Sequence, residues 1–338
     1  MKRAISSTTG CFRPRYAITF SGTVLLHVGG STFGNGSPED PGFSVLELEQ
    51  IHGHLQSEGG VMSELIDLSD GLPTHLKSSK ELEAKVLVIR NAVDSLMTDY
   101  DYENGNGETT EGDEKSEVSG GAGRKLANII ENELEKAHWD KKFWDSRTKK
   151  TKNKRARYNT MFGDDELAHS DDFKQGTVNS FQSLPILARV RNELLPKLFG
   201  NKARGLYAEG NYYFEEKSGI GFHGDAERKI VICLSVGGPS TIRFRWRLAG
   251  ASSWADAEHS NPSVDIRIGH GDIYVMSEKA TGYDWKKRSL VRVVHAAGSG
   301  HYIGSNDVDN PSPKQRHSRV NKEKKQSNEV NNAKDYEL

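Results

Sequence analysis

Residues Gly205–Leu248, GLYAEGNYYFEEKSGIGFHGDAERKIVICLSVGGPSTIRFRWRL, decide the fold class. Within them GLYAEGNYYF, RKIVICLSVG and STIRFRWRL are short runs rich in Tyr, Ile, Val and Phe, separated by Gly, Ser, Pro or charged residues. β-branched and aromatic residues fit a pleated, half-buried surface, and turn residues punctuate strands. Further along, VDIRIGH, GDIYVMS and SLVRVVH repeat the pattern up to His295. Many short strands of this kind predict a pair of sheets, a sandwich or jelly roll, over the C-terminal half.

Outward from this core the sequence is less uniform. Upstream, LPILARVRNELLPKLF (184–199) and RKLANIIENELEKAHW (124–139) carry apolar residues at helical spacing. Residues 16–94 alternate β-like YAITFSG, helical FSVLELEQIHGHLQ, and β-like VMSELIDL and AKVLVIRNAV, which predicts a small α/β domain over residues 1–100. Its glycine-rich stretch HVGGSTFGNG lacks the Lys-Ser/Thr of a phosphate-binding P-loop. Residues 101–117 hold seven acids against one Lys and run into GGAG, which predicts an acidic linker over 101–123. The main domain then spans 124–304, and the Asn-, Ser-, Pro- and Lys-rich remainder, 305–338, predicts a disordered polar tail.

Composition narrows the function classes. Cys11 and Cys233 are the only cysteines in 338 residues, so there is neither a disulfide framework nor a cysteine-rich zinc pattern, and an intracellular setting, nuclear or cytoplasmic, is expected. No apolar run approaches the roughly 18 residues of a membrane span. The net charge of −1 hides a local block: KKFWDSRTKKTKNKRAR (141–157) carries nine Lys or Arg against one Asp. Basic residues interleaved with aromatics suit a phosphate backbone and unstacked bases, so nucleic acid is the expected partner, with Lys149, Lys150, Lys152, Lys154 and Arg155 as contacts. A solvated charged face is the plainer reading of the same run.

The chemistry lies in His223-Gly224-Asp225. Alternate residues of an extended segment point the same way, so one imidazole and one carboxylate can grip one metal. A second His from a distant strand would complete a 2-His-1-carboxylate triad of the kind that leaves positions open on Fe(II).

Four segments in order, NKRARYNTMFGDDE, EGNYYFEEKSGIGFHGDAERKI, IGHGDIYVMS and KKRSLVRVVHAAG, resemble the AlkB-type Fe(II)- and 2-oxoglutarate-dependent oxygenases, in particular a group met in large DNA viruses and algae. The resemblance implies a distorted double-stranded β-helix with supporting helices, an α+β fold overall. It also implies Fe(II), 2-oxoglutarate as co-substrate and O2, with oxidation of a nucleic-acid base (N-demethylation) or hydroxylation of a protein as the reaction. His223 and Asp225 match the family's first two iron ligands. His295 is taken as the third, 70 residues after Asp225 (295 minus 225), with His270 as its competitor. Asn211 and Tyr212 match the keto-acid wall, and Tyr213 with Arg157, Tyr158, Phe162, Gly163 and Asp164 match a substrate wall and lid. The family's R-x-N-x-T-x-R element, whose arginines pair with the keto acid, aligns at Arg288, but its second arginine falls on Val294, with Arg292 two residues earlier. That departure leaves open a degenerate member that binds nucleic acid or a protein without turnover.

Overall fold

A computed structural model of the protein describes residues 12–22, 24–25, 32–33, 41–97, 125–168, 173–174, 176–250 and 263–304. The expected acidic linker 101–123, the polar tail 305–338, most of the glycine-rich stretch and Cys11 lie outside the described residues.

In chain order the strands are β1 (Arg15–Ser21), β2 (Val24–Leu25), β3 (Thr32–Phe33), β4 (Ser63–Asp67), β5 (Lys85–Ile89), β6 (Lys142–Asp145), β7 (Lys150–Asn153) and β8 (Tyr158–Gly163). They continue with β9 (Val178–Ser180), β10 (Tyr207–Tyr213), β11 (Gly219–His223), β12 (Ile232–Gly237), β13 (Ser240–Arg247), β14 (Ser263–Ile268), β15 (Ile273–Met276) and β16 (Arg292–Gly298). The helices are α1 (Val45–Glu58), α2 (Ala92–Leu96), α3 (Leu126–Lys136), α4 (Pro185–Arg189), α5 (Leu195–Phe199) and α6 (Gly300–Ile303). The protein is thus a mixed α/β structure dominated by sheets, and the strand and helix runs of the sequence occupy the expected places.

Eight strands form one mixed sheet in the order β4-β5-β15-β12-β1-β10-β8-β9, in which only the β8–β9 pair is parallel. Four more form a second sheet, β11-β16-β13-β14. Strand alternation gives the large sheet two differently occupied faces. Tyr16, Ile18, Phe20, Ala208, Leu234 and Val275 point to one side, where they pack with Leu48, Ile130, Leu187 and Leu195 of the helices. Ala17, Cys233, Tyr274 and Met276 point to the other, where Phe244, Trp246, Ile266 and Val293 of the four-stranded sheet cover them. Each face buries its own apolar cluster, so helices and small sheet lie on opposite sides.

The first hundred residues are not a separate module. β1 lies between β10 and β12, pairing with both along nearly its whole length, and β4–β5 extend the same sheet beyond β15. The division expected at residue 100 fails because β1 is hydrogen-bonded along both edges, to β10 and β12, and its Tyr16, Ile18 and Phe20 join the main core. The helix expected over 184–199 is also interrupted, by a π-helical turn at Val190–Leu194. Pro196 has no N–H to offer residue 192, and the amide of Leu195 bonds instead to the carbonyl of Val190. α1 follows its sequence signal closely: Ser44 and Glu47 form a reciprocal capping box at its start.

Deleting the chain through Ser21 should abolish the cooperative urea unfolding transition followed by circular dichroism, because it opens the large sheet at its middle. A retained transition of ordinary steepness would show β1 to be dispensable.

Candidate metal centre

β11 and β16 pair antiparallel with a bulge between Ile220 and His223, beyond which His223 lies directly opposite His295. Val293 and Ala297 of β16 face the large sheet, so His295, two residues from each, faces it as well. Opposed residues share a face, and the two imidazoles meet with ring centroids 4.6 Å apart. Asp225 follows β11 in a turn whose amide bonds to the carbonyl of Thr281 at 2.9 Å. Its carboxylate lies 4.0 Å from His223 Nε2 and 3.7 Å from His295 Nε2. Candidate ligand atoms of the three residues fall within 4.8 Å of one another, a group able to hold one metal ion.

The backbone allows this approach at glycines. A Cβ on Gly224 would strike the carbonyl oxygen of Gly282 and come within 2.8 Å of Trp285, and Gly282 itself has φ +68°. The His-Gly-Asp turn therefore rests on a second glycine turn with no side chain between them.

Protonation suits a cation. His223 Nδ1 lies 2.8 Å from the carbonyl oxygen of Gly221, so it carries the proton and donates it there, which leaves the Nε2 lone pair free. His295 is only 6% exposed. Burial first, then His223 and Arg228, hold it well below its ordinary 6.5, in the neutral form that ligates metals. Arg228 is buried beside Asp225, 3.7 Å away, and bonds Glu209 at 2.8 Å. Burial opposes its charge, but Asp225, Glu209 and Glu227 outweigh that and raise its pKa. Two nitrogens and one carboxylate at a buried point fit a borderline divalent cation such as Fe(II).

The other expected residues divide. His270 is out of the group: its Nδ1 accepts the amide of Gly237 at 2.8 Å in the β14–β15 turn. Asn211 and Tyr213 face the small sheet with Ala17 and Arg15, their partners across β1. Tyr212 does not. It points to the helix side, stacked on Tyr16 with centroids 4.5 Å apart, because it lies one residue out of phase with Asn211. Arg292 also faces away from the centre, since an odd step separates it from His295, and its guanidinium bonds the carbonyls of Lys287 and Leu290. Arg288 is exposed in the turn before β16.

The expected lid is a strand. Tyr158–Gly163 is β8, hydrogen-bonded between β10 and β9. Phe162 is wholly buried in the helix-side core and Tyr158 stacks on Phe214 at 4.1 Å. The run NTMF has no polar face to show solvent, which is why it packs inside the sheet. Gly163 ends the strand, and Asp164 pairs in a fork with Arg191 at 2.6 and 3.0 Å. Arg157 alone of this set reaches the metal-side face, where its Nε bonds Asn211 Oδ1. The basic run forms the β6–β7 hairpin: Lys149, Lys150 and Arg155 are exposed, while Lys152 pairs with Asp145. Lys154 folds back onto Asn159, and burial lowers its pKa to about 8.

One residue escaped the sequence reading. Arg15, at the start of β1, is 9% exposed and lies over the ring of Tyr213, 4.1 Å from its centroid. One of its terminal nitrogens approaches Gly298, across from the large sheet, and its Nε has no partner among the described residues. Burial lowers its pKa, yet a guanidinium stays charged. Arg15 lies 273 residues before Arg288 (288 minus 15), far from where an arginine for the site was sought.

No protein-family model matches the chain. An uncharacterized protein of Acanthamoeba polyphaga mimivirus is 32% identical to it over 290 residues, 85% of this chain and 96% of that protein. The chain belongs to the family of that mimivirus protein. A match of this length is too long to omit the span carrying His223 and Asp225. The relative is uncharacterized, so family membership brings no chemistry with it. Among the described residues, no helix is long and apolar enough to cross a membrane.

His295 also makes a stability prediction. Its folded pKa lies below its unfolded value, so between the two the unfolded chain binds more protons, and stability falls with acidification. The metal-free protein should therefore lose stability as pH drops below about 6.5, the ordinary histidine value, and His295→Gln should show a shallower loss in urea titrations across that range. Equal pH profiles would argue against a neutral, buried His295.

Proposed function

We propose that the protein is an Fe(II)- and 2-oxoglutarate-dependent oxygenase built on a distorted double-stranded β-helix, and that its substrate is a nucleic-acid base. The observation that carries the reading is the gathering of His223, Asp225 and His295 on the inner face of the small sheet, with the buried guanidinium of Arg15 on the facing strand. Iron bound by the triad would supply O2 activation coupled to decarboxylation of the keto acid.

The chain's own residues bind and orient. Arg15 presents a planar donor fork to the distal carboxylate of 2-oxoglutarate, and Tyr213, stacked beneath it, limits where that fork points. Asn211 offers its amide on the same face and is held in one orientation by Arg157. Arg228 fixes Asp225 from behind and balances the charge of Glu209. Val294 motivated the degenerate, non-catalytic alternative. The oxygenase reading is supported by Arg15, a buried cation on another strand. The small sheet and the aromatic face opposite it restrict water at the centre.

Nucleic acid as substrate rests on the β6–β7 hairpin, whose exposed Lys149, Lys150 and Arg155 lead through Lys154 and Arg157 to the metal-side face. A base in a duplex would have to be unstacked to reach a centre buried between sheets. Hydroxylation of a protein side chain is the second reading of the same centre, and it leaves the hairpin without a role.

Anaerobic titration with Fe(II) and 2-oxoglutarate should give a visible charge-transfer band in the wild type that His223→Ala and His295→Ala lose. Arg15→Lys should keep Fe(II) binding but weaken 2-oxoglutarate by roughly ten- to a hundredfold, as expected when about 1.5–3 kcal/mol of a charged hydrogen bond is removed. Absence of the band in wild type would replace the oxygenase with a binding protein. Separately, replacing Lys149, Lys150 and Arg155 by Ser should make the slope of log affinity for single-stranded DNA against log salt shallower by about two. An unchanged slope would remove nucleic acid from the reading.

A further inference from the structure

The side of the large sheet that faces away from the metal centre holds a cavity of about 630 Å³. Its floor is made by Tyr16, Tyr212 and Trp139. Tyr16 and Tyr212 stack at 14° with centroids 4.5 Å apart, and Trp139 lies 5.4 and 5.5 Å from them. Phe173 stands on one wall, and Lys141 and Lys142 are at the mouth. Both lysines are exposed, and their ammonium groups lie over the rings of Tyr158 and Phe173. Among the described residues neither has a carboxylate partner. Of the two acids lining the cavity, Glu131 is paired with Arg13, while Glu135 is exposed.

An aromatic floor with ammonium groups at the rim matches a planar heterocycle carrying a phosphate. Glu135 adds an acceptor for an exocyclic amino group on the edge of such a ring. Lys142 begins β6, so the mouth opens directly onto the basic hairpin, where Phe143 is 37% exposed and offers another ring. From there the cations continue through Lys150 and Lys149 to Lys154 and Arg157 on the opposite face. The two ends of this path lie on opposite faces of the sheet because Tyr212 and Tyr213 are adjacent in β10 and point in opposite directions.

We propose that this cavity is a second nucleotide-binding site, which holds one unstacked base of a single strand while the same strand passes around the β6–β7 hairpin toward the metal centre. The inference rests on the nucleic-acid reading of that hairpin. It assigns the cavity to an unpaired nucleotide, so single strands bind there and duplexes do not.

The test uses the full chain and a short single-stranded oligothymidylate containing 5-iodouracil. On irradiation, cross-links should map to peptides containing Phe173, Tyr212 or Trp139. Ala137→Phe, which fills the cavity without changing charge, and Lys141→Glu with Lys142→Glu should each weaken binding by about tenfold. Ala137→Phe should retain the charge-transfer band with Fe(II) and 2-oxoglutarate, which reports an intact centre. Unchanged affinity in Ala137→Phe, with cross-links confined to the hairpin or the metal-side face, would overturn the cavity site and leave the hairpin reading standing. Failure of every oligonucleotide to bind at low salt would overturn both.

Discussion

A strand inside a sheet must find partners for the N–H and C=O groups along both of its edges, and β1 finds them in β10 and β12. The rest of the structure hangs on that insertion. It joins two halves of the large sheet, gives the helices a continuous face to pack on, and gives the small sheet a continuous face to cover. It also carries Arg15 from near the chain start into the space between the sheets. The N-terminal segment therefore belongs to the same chemical unit as residues more than two hundred positions later.

Charge is balanced closely around the centre. Asp225 and Glu209 are buried with Arg228 between them, and an isolated buried carboxylate would cost several kcal/mol. The His295 imidazole stays neutral for the same reason: its charge would be desolvated and would face His223 and Arg228. What remains is a compact group of candidate ligand atoms within 4.8 Å of one another.

The large sheet separates two environments by one residue of phase. On one side of β10 are Asn211 and Tyr213 with the candidate metal ligands, and on the other is Tyr212 with its aromatic cavity. Both sides are reached from the β6–β7 hairpin, the most basic stretch of the described chain.

By itself the sequence determined the β-rich class, the position of nearly every strand, the helices α1 and α3, and the pairing of His223 with Asp225 as candidate ligands, because each is a local pattern of apolar period, cap or alternation. It also pointed to His295 over His270, although only the register of β11 against β16 places that imidazole beside His223. Tertiary structure decided the rest. It made β8 a buried strand where a lid was expected, turned Tyr212 and Arg292 away from the centre, and buried Arg15 over the ring of Tyr213. These outcomes depend on which strands are neighbours and on one-residue phase. Long-range hydrogen bonding and burial fix both, and neither leaves a trace within a few residues along the chain.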